Sequence, residues 1–201
     1  MNQDTTFASQ TSHEESLRQQ AEEFYAHQTP IWRKALDRSL KRLTKELTQS
    51  DQRYTLKYRI KNFTSFYRKY LKRHEQEPNL PFVAITDFLG IRIIVPFIEQ
   101  LTVIEDQLQK FFHILEVEHK GMEHNFREFG YESIHMLLQL PAEDEGETVE
   151  IQIRTILQEA WAEVEHELVY KSDFKPYNEP LKRKLAAINA NLTISDTLIQ
   201  E

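Results

Sequence analysis

The stretch Val149 to Lys171, VEIQIRTILQEAWAEVEHELVYK, changes its period half-way along. Val149, Ile151 and Ile153 alternate with Glu150, Gln152 and Arg154, which is the pattern of a strand with one face in a core. Beyond Thr155 the repeat becomes helical. Ile156, Ala160, Val164 and Leu168 fall four apart, with Leu157 and Trp161 widening the stripe, so an amphipathic helix is expected with that stripe buried. Glu159, Glu163, His166 and Tyr170 fall on or near another side of it. A strand showing a carboxylate, an amide and a guanidinium on one face, and feeding a helix rich in acid and histidine, suits the wall of a site that handles metal and phosphate.

The chain before this stretch supplies a packing layer and a source of charge. Residues 1–13 read as a loose tail. Helical spacing starts at Glu14 (Leu17, Ala21, Phe24), Pro30 is expected to interrupt it, and Ile31 to Leu47 reads as a packing helix through Trp32, Leu36, Leu40, Leu43 and Leu47. Residues 52–73 are strongly basic, with Arg53, Lys57, Arg59, Lys61, Arg68, Lys69, Lys72 and Arg73 and no acid after Asp51. On a helix beginning near Lys61, Phe63, Phe66, Tyr67, Tyr70 and Leu71 form the expected buried stripe, and Lys61, Ser65, Arg68, Lys69 and Lys72 share another side. Such a face is either simply solvated or an electropositive cradle for a polyphosphate, where converging negative charges demand several cations.

Leu89 to Val95 is β-branched and nearly all apolar, suiting a central strand buried on both faces. Arg92 in its middle needs a partner or a ligand, because an unpaired buried guanidinium is costly. Asp87 is the nearby acid, although strict alternation places the two on opposite faces. Gly90 allows a bulge or a close ligand approach. A surface helix (Phe97 to Phe112, with Leu101, Ile104, Leu108 and Phe111 inward), a strand (Phe112 to Lys120), a loop (Lys120 to Phe129) and a strand bearing Ser133 and His135 (Gly130 to Leu140) follow. An acidic turn (Ala142 to Glu147) leads into the opening strand. After Lys171 a proline-containing connection reaches a last helix marked by Leu181, Leu185, Ile188, Leu192 and Ile199. That helix either docks on the core or pairs with another subunit. The order indicates an α+β fold with a mixed sheet, divided as 1–50 (tail and packing helices), 51–175 (the α+β domain) and 176–201 (C-terminal helix).

Several function classes are disfavoured. The longest apolar run, Phe88 to Phe97, is broken by Arg92, so no membrane span is expected. The polar, acidic N-terminus lacks the apolar core of a signal peptide. The absence of cysteine removes disulfides, thiol nucleophiles and cysteine-type zinc sites, and fits a cytoplasmic protein. A net charge of -7 argues against nucleic acid as the main partner. Ser133, His135 and Asp87 lack the nucleophile elbow of a hydrolase, and His119, His124 and His135 lack a zinc spacing. No GxxxxGK[ST] loop is present. Asp87 and Glu150 are the carboxylates suited to hold Mg²⁺ jointly, since that ion takes oxygen ligands together with substrate phosphates. Metal, cations and a carboxylate able to take a proton form the set that phosphoryl-type transfer requires.

Five blocks, YRIKNFTSFYRK, DFLGIRI, GYESIH, VEIQIRT and WAEVEHELVYK, occur in the order found in the synthetase domain of the RelA/SpoT alarmone synthetases. From about Tyr58 to Lys171 the chain resembles that domain, and in particular the stand-alone small alarmone synthetases. The resemblance implies a nucleotidyltransferase-like, mixed, largely antiparallel sheet of about five strands flanked by helices. It implies transfer of pyrophosphate from ATP to the 3′-hydroxyl of GDP or GTP, giving ppGpp or pppGpp. Arg59, Lys61 and Lys69 would hold the ATP phosphates with Ser65 beside them, and Arg92 would orient phosphates or Asp87. Asp87 would ligate Mg²⁺, and Glu150 would share the metal or activate the acceptor hydroxyl. Tyr131 would stack on guanine, with Lys120, Arg127, His135, Gln152 and Arg154 on the acceptor side. The family's KDYI…PKxNGY segment reads KGMEHNFREFGY here: Lys120 is kept, Arg127 replaces a lysine, and Gly121, Met122 and Phe129 depart. The same transfer to an adenine nucleotide or a tRNA 3′ end, or a non-catalytic nucleotide-binding module, are the alternatives. The absence of any His-Asp dipeptide implies that the alarmone hydrolase of long family members is missing, and regulatory tail domains are likewise expected to be absent. Terminal helices offer a route to a homo-oligomer.

Overall fold

The computed structural model describes residues 3–50, 52–85, 87–120, 133–141, 147–170 and 179–199, without the side chains of 3–14, 168–170, 179, 181 and 182. The first helix, α1 (Gln3–Leu47), runs without interruption through Pro30. The expected tail and break are therefore both absent. An interior proline costs about 3 kcal/mol, but packing on both sides outweighs it. Phe24 and Tyr25 before the proline contact Trp32 after it, at ring separations of 6.2 and 5.5 Å. Thr29 Oγ1 also donates to the Tyr25 carbonyl at 2.7 Å.

Next come β1 (Thr55–Ile60), α2 (Phe63–His74), a 3-10 turn (Phe82–Ala84), β2 (Leu89–Val95), α3 (Glu99–Phe111), β3 (His113–Lys120), β4 (Ser133–Gln139), β5 (Thr148–Thr155), α4 (Ile156–Tyr170) and α5 (Glu179–Leu198). The strands form one sheet in the order β1-β2-β5-β4-β3. β2 and β5 are parallel, and the other pairings are antiparallel. The mixed, largely antiparallel α+β architecture is as expected, with the Val149–Arg154 alternation on the central strand. β1 belongs to the basic stretch and was not foreseen as a strand.

Leu89, Ile91, Ile93 and Val95 of β2, Val149, Ile151 and Ile153 of β5, and Ile134, Met136 and Leu138 of β4 are buried on one face. They pack with Leu101, Ile104 and Leu108 of α3, Phe66 and Tyr70 of α2, and the apolar stripe of α1. Trp32 stacks on Phe88 at 3.9 Å, and Phe66 sits 5.2 Å from the same ring, so the residue just before β2 is pinned from two helices. β2 is only partly buried on its second face: Ile94 is buried there, but Gly90 and Arg92 are half-buried. It runs in continuous register past Gly90, so no bulge forms there. The sheet's irregularity lies between Ile114 and Glu116, which turns Leu115 outward, leaving it 47% exposed. Leu71 and Phe111, both expected inward, are exposed on the outer edges of their helices.

The largest departure is α4. Ile156 and Val164 are exposed at 56% and 45%, whereas Gln158, Glu159 and Trp161 are buried. The helix is rotated away from its apolar stripe. Its N-terminus is fixed by a capping box: Thr155 Oγ1 accepts from the Gln158 amide at 3.1 Å, and Gln158 Oε1 accepts from the Thr155 amide at 2.9 Å. Thr155 Oγ1 also donates to Asp196 Oδ2 of α5 at 2.5 Å. The last helix thus docks on the start of α4. Leu168, Tyr170 and Leu181 have side chains outside the description, as does the acidic turn, residues 142–146. Among the described residues no helix is long and apolar enough to cross a membrane.

Candidate active site

The second face of the sheet is polar, and strand register assembles it. Lys57 of β1 lies opposite Arg92 of β2, Arg92 opposite Gln152 of β5, Gln152 opposite His135 of β4, and His135 opposite Glu118 of β3. The neighbouring row runs Arg59, Gly90, Glu150, Leu137, Glu116. Because side chains alternate across a strand, both rows share one face, basic towards β1 and acidic towards β3.

α4 closes the basic side. Glu159, whose side chain is 7% exposed, accepts from Lys57 Nζ at 2.9 Å and Arg92 Nη1 at 3.1 Å through one oxygen, and from Arg154 Nη1 at 3.0 Å through the other. Arg154 Nη2 also donates to Gln152 Oε1 at 2.6 Å. Arg92 Nη1 reaches a second acid, Glu163, at 2.9 Å. These requirements explain the rotation of α4: the buried Arg154 must have a counter-charge, and Glu159 supplies it only when turned to the sheet. Burial would raise the Glu159 carboxyl, but the Lys57 hydrogen bond and the charges of Arg92 and Arg154 outweigh it and hold it below the ordinary range. Burial, assisted by Arg92, lowers the Arg154 guanidinium to about 10. A cleft of about 550 Å³ opens between this sheet face and α4, lined among others by Arg59, Arg92, Glu150, Gln152, Arg154 and His166.

A smaller hollow of about 170 Å³ continues past Glu150 to Asp87, His135, Glu116 and Glu118. Asp87 ties the residue after β1 to α2 electrostatically: Lys61 Nζ and, at 2.8 Å, Lys69 Nζ donate to its Oδ2. Burial pushes this carboxyl up, and the two lysines override it, leaving it lower than usual. Its Oδ1 is buried, without a hydrogen-bond partner among the described residues. Glu150 Oε1 lies 3.0 Å from His135 Nδ1. That hydrogen bond is the main reason its carboxyl sits low, against burial and the repulsion of nearby Asp87. Lys61 is anchored through its backbone, its amide donating to the Phe88 carbonyl at 2.8 Å and its carbonyl accepting from Tyr25 Oη at 2.8 Å.

Residues 58–175, more than half of the 201-residue chain, match the region found in RelA / SpoT proteins. The chain belongs to the RelA/SpoT family. GTP pyrophosphokinase YjbM of Bacillus subtilis (strain 168) is 34% identical over 110 residues, covering 52% of this chain and 48% of that protein. GTP pyrophosphokinase YwaC of the same organism is 30% identical over 120 residues, 57% of each. The chain thus spans about half the length of the curated relatives it matches. In fold it is similar to small alarmone synthetase 1 from Bacillus subtilis bound to its product pppGpp, with a TM-score of 0.70, 23% identity, and coverage of 89% of this chain and 95% of that one.

Within this RelA/SpoT region the fold brings together most of the candidates. Arg59, Arg92, Glu150, Gln152 and Arg154 line the cleft, and Asp87 and His135 join Glu150 in the adjoining hollow. Arg92 is held by α4 acids rather than by Asp87, so no direct Asp87–Arg92 pair forms. Ser65 is exposed at the first turn of α2, where its amide donates to the Asn62 cap at 2.8 Å, and it does not line the cleft. Lys120 ends β3 and pairs with Glu118 of its own strand at 3.4 Å. Arg127 and Tyr131 lie outside the described residues, as does His124. His119 faces the core side, 3.1 Å from Glu105 of α3, so it and His135 cannot share a metal. Lys57 and Glu159 were given no role by sequence. Their one signal was charge on the β1 and α4 segments, and their pairing spans 102 residues.

Proposed function

We propose that this chain is a (p)ppGpp synthetase, an ATP:GTP 3′-diphosphotransferase acting on GDP or GTP. The observation that carries the reading is the pair of carboxylates, Asp87 and Glu150, facing one hollow that opens beside a cation-lined cleft. The curated relatives are GTP pyrophosphokinases and a structural neighbour holds pppGpp, which supports guanine nucleotide as the acceptor. Lys61, Lys69, Arg59 and Arg92 bind the donor phosphates, with Ser65 at the approach. His135, Gln152 and Arg154 face the acceptor, together with Lys120 at the end of β3 and Arg127 and Tyr131 from the sequence that follows it.

In the reaction the acceptor 3′-oxygen attacks the β-phosphorus of ATP. The bond from that phosphorus to the α–β bridging oxygen breaks, AMP leaves with the electron pair, and the hydroxyl proton passes to Glu150. His135, donating through Nδ1, holds that carboxylate in one orientation. The arrangement fits Mg²⁺. Among the described residues the Asp87 Oδ1 atom has no hydrogen-bond partner, Glu150 is close enough to repel Asp87, and no larger cluster of metal-binding side chains is present. A hard cation held by one or two carboxylates and completed by substrate phosphates needs no more. Asp87 and Glu150 would hold the ion, which when bound supplies charge neutralisation on the transferring group. The cations of the cleft orient donor and acceptor in line, the main catalytic lever for this chemistry. The setting is cytoplasmic, where both nucleotides are abundant, and the terminal helices are the candidate surface for self-association.

The test offers γ-labelled ATP and Mg²⁺ with GDP, GTP, ADP and bulk tRNA in separate tubes. Label is expected in GDP or GTP, and Glu150→Gln is expected to abolish transfer while ATP still binds. Transfer only to ADP or tRNA would mean that the residues 121–129 redirect the acceptor. No transfer in any tube, with ATP bound, would leave a nucleotide-binding module.

A further inference from the structure

Two acids of α4 compete for one nitrogen. Arg92 Nη1 lies 3.1 Å from Glu159 Oε1 and 2.9 Å from Glu163 Oε1, yet the two carboxylates differ in what holds them. Glu159 is 7% exposed and also binds Lys57 and Arg154. Leaving that position would take the carboxylate from the buried Arg154 guanidinium and move a group that three cations fix. Glu163 is 55% exposed, and among the described residues its ion pair is with Arg92 alone. It can swing into water at little cost, since exposed pairs contribute weakly. Glu163 and Arg92 itself line the open cleft, whereas Glu159 lies buried behind Arg92 and is not part of the lining.

We infer that Glu159 is a fixed positioning residue and Glu163 a displaceable stand-in for a ligand anion. In the free protein Glu163 occupies the place at Arg92 that a phosphate oxygen of the nucleotide takes on binding, while Glu159 keeps Arg92, Lys57 and Arg154 turned to the cleft floor throughout. The exchange is one carboxylate for one phosphate oxygen at the same guanidinium, so ligand binding need not disturb the buried pairs. This rests on the proposed binding of a polyphosphate in the cleft and adds to it that two neighbouring acids oppose each other in their effect on affinity.

The opposite signs make the inference testable. Binding of a non-transferable ATP analogue, and separately of inorganic pyrophosphate, is measured by calorimetry for the full chain. Glu163→Gln removes the competitor and is expected to tighten both ligands about two- to fivefold, with the gain shrinking as salt screens the exposed pair. Glu159→Gln is expected to weaken both by about tenfold or more, and Glu159→Asp to recover part of the loss. If Glu163→Gln binds no more tightly than wild type, Glu163 is not a stand-in. If Glu159→Gln binds as tightly as wild type, Glu159 does not position the cations. Should Glu159→Gln fail to fold, the sign at Glu163 and the Glu159→Asp affinity decide. A wild-type chain that binds neither ligand would overturn the inference along with the nucleotide-site reading. Correct signs without transfer to any acceptor would remove only the catalytic reading.

Discussion

Replacing Asp87 by Asn separates the structural from the chemical work of that carboxylate. Its side chain is 24% exposed and answers Lys61, 16% exposed, and Lys69, 44% exposed. Breaking a fully buried pair costs about 3–5 kcal/mol. Two features reduce that here. Lys69 re-solvates easily, so its share falls to the scale of a surface pair, about 0.5 kcal/mol. Asparagine keeps a carbonyl acceptor for Lys61, which leaves a charge unmatched but a hydrogen bond in place. A net cost of about 1–2 kcal/mol follows, and for a chain of this size that lowers Tm by about 2–8 °C. Transfer should fall much further, by at least about 100-fold, because the charged carboxylate that would hold the metal is lost. The assay pairs thermal unfolding with label transfer from ATP, run well below the lowered Tm. A variant that unfolds earlier yet transfers within about threefold of wild type would refute the argument and reduce Asp87 to a counter-ion for the lysines. Lys69→Met serves as the control for stability, with an expected loss below about 1 kcal/mol.

Acid sensitivity follows from the same groups. Asp87, Glu150 and Glu159 all sit below their ordinary values of 3.8, 4.5 and 4.5. Their stabilisation is present above those values and is lost as pH falls through the lower folded ones. Unfolding monitored by circular dichroism should therefore steepen below about pH 4, and Asp87→Asn should flatten that limb. Asp196 acts in the other direction: burial raises its carboxyl above the ordinary 3.8 despite the Thr155 hydrogen bond, so its ionisation weakens the fold as pH climbs through that region. Thr155→Val keeps the shape of the side chain but removes both the α4 cap and the bond to Asp196. The expected loss is about 2–3 kcal/mol, read as a lower urea midpoint, and an unchanged midpoint would show that α5 docks by apolar contact alone.

How far sequence carried the description can be followed residue by residue. Within a strand, parity is enough: Val149, Ile151 and Ile153 declared the core face, so Glu150, Gln152 and Arg154 had to face away from it. The same logic should have exposed Gly90 and Arg92 of β2, but the otherwise apolar run around Arg92 concealed which face was covered. Pro30 and α4 were misread because local preference was outweighed by tertiary partners. An aromatic cluster bridges the proline, and a buried Glu159 draws its helix round at the expense of exposing Ile156 and Val164.

Register is the information that parity lacks. Knowing that Lys57, Arg92, Gln152 and His135 each leave the core face does not say that they form one row; only the pairing of β1, β2, β5 and β4 does. Because a slip by one residue would turn every side chain of a strand to the wrong side, the buried Ile, Leu and Val residues that lock the register also fix the electrostatics of the opposite face. An inward-facing change on β2 or β5 should for that reason disturb the cleft as well as the core. The arginines and carboxylates are aligned by apolar neighbours that never touch a ligand, and this is why residue types foretold the kind of chemistry while the partners of Arg92 had to be read from the fold.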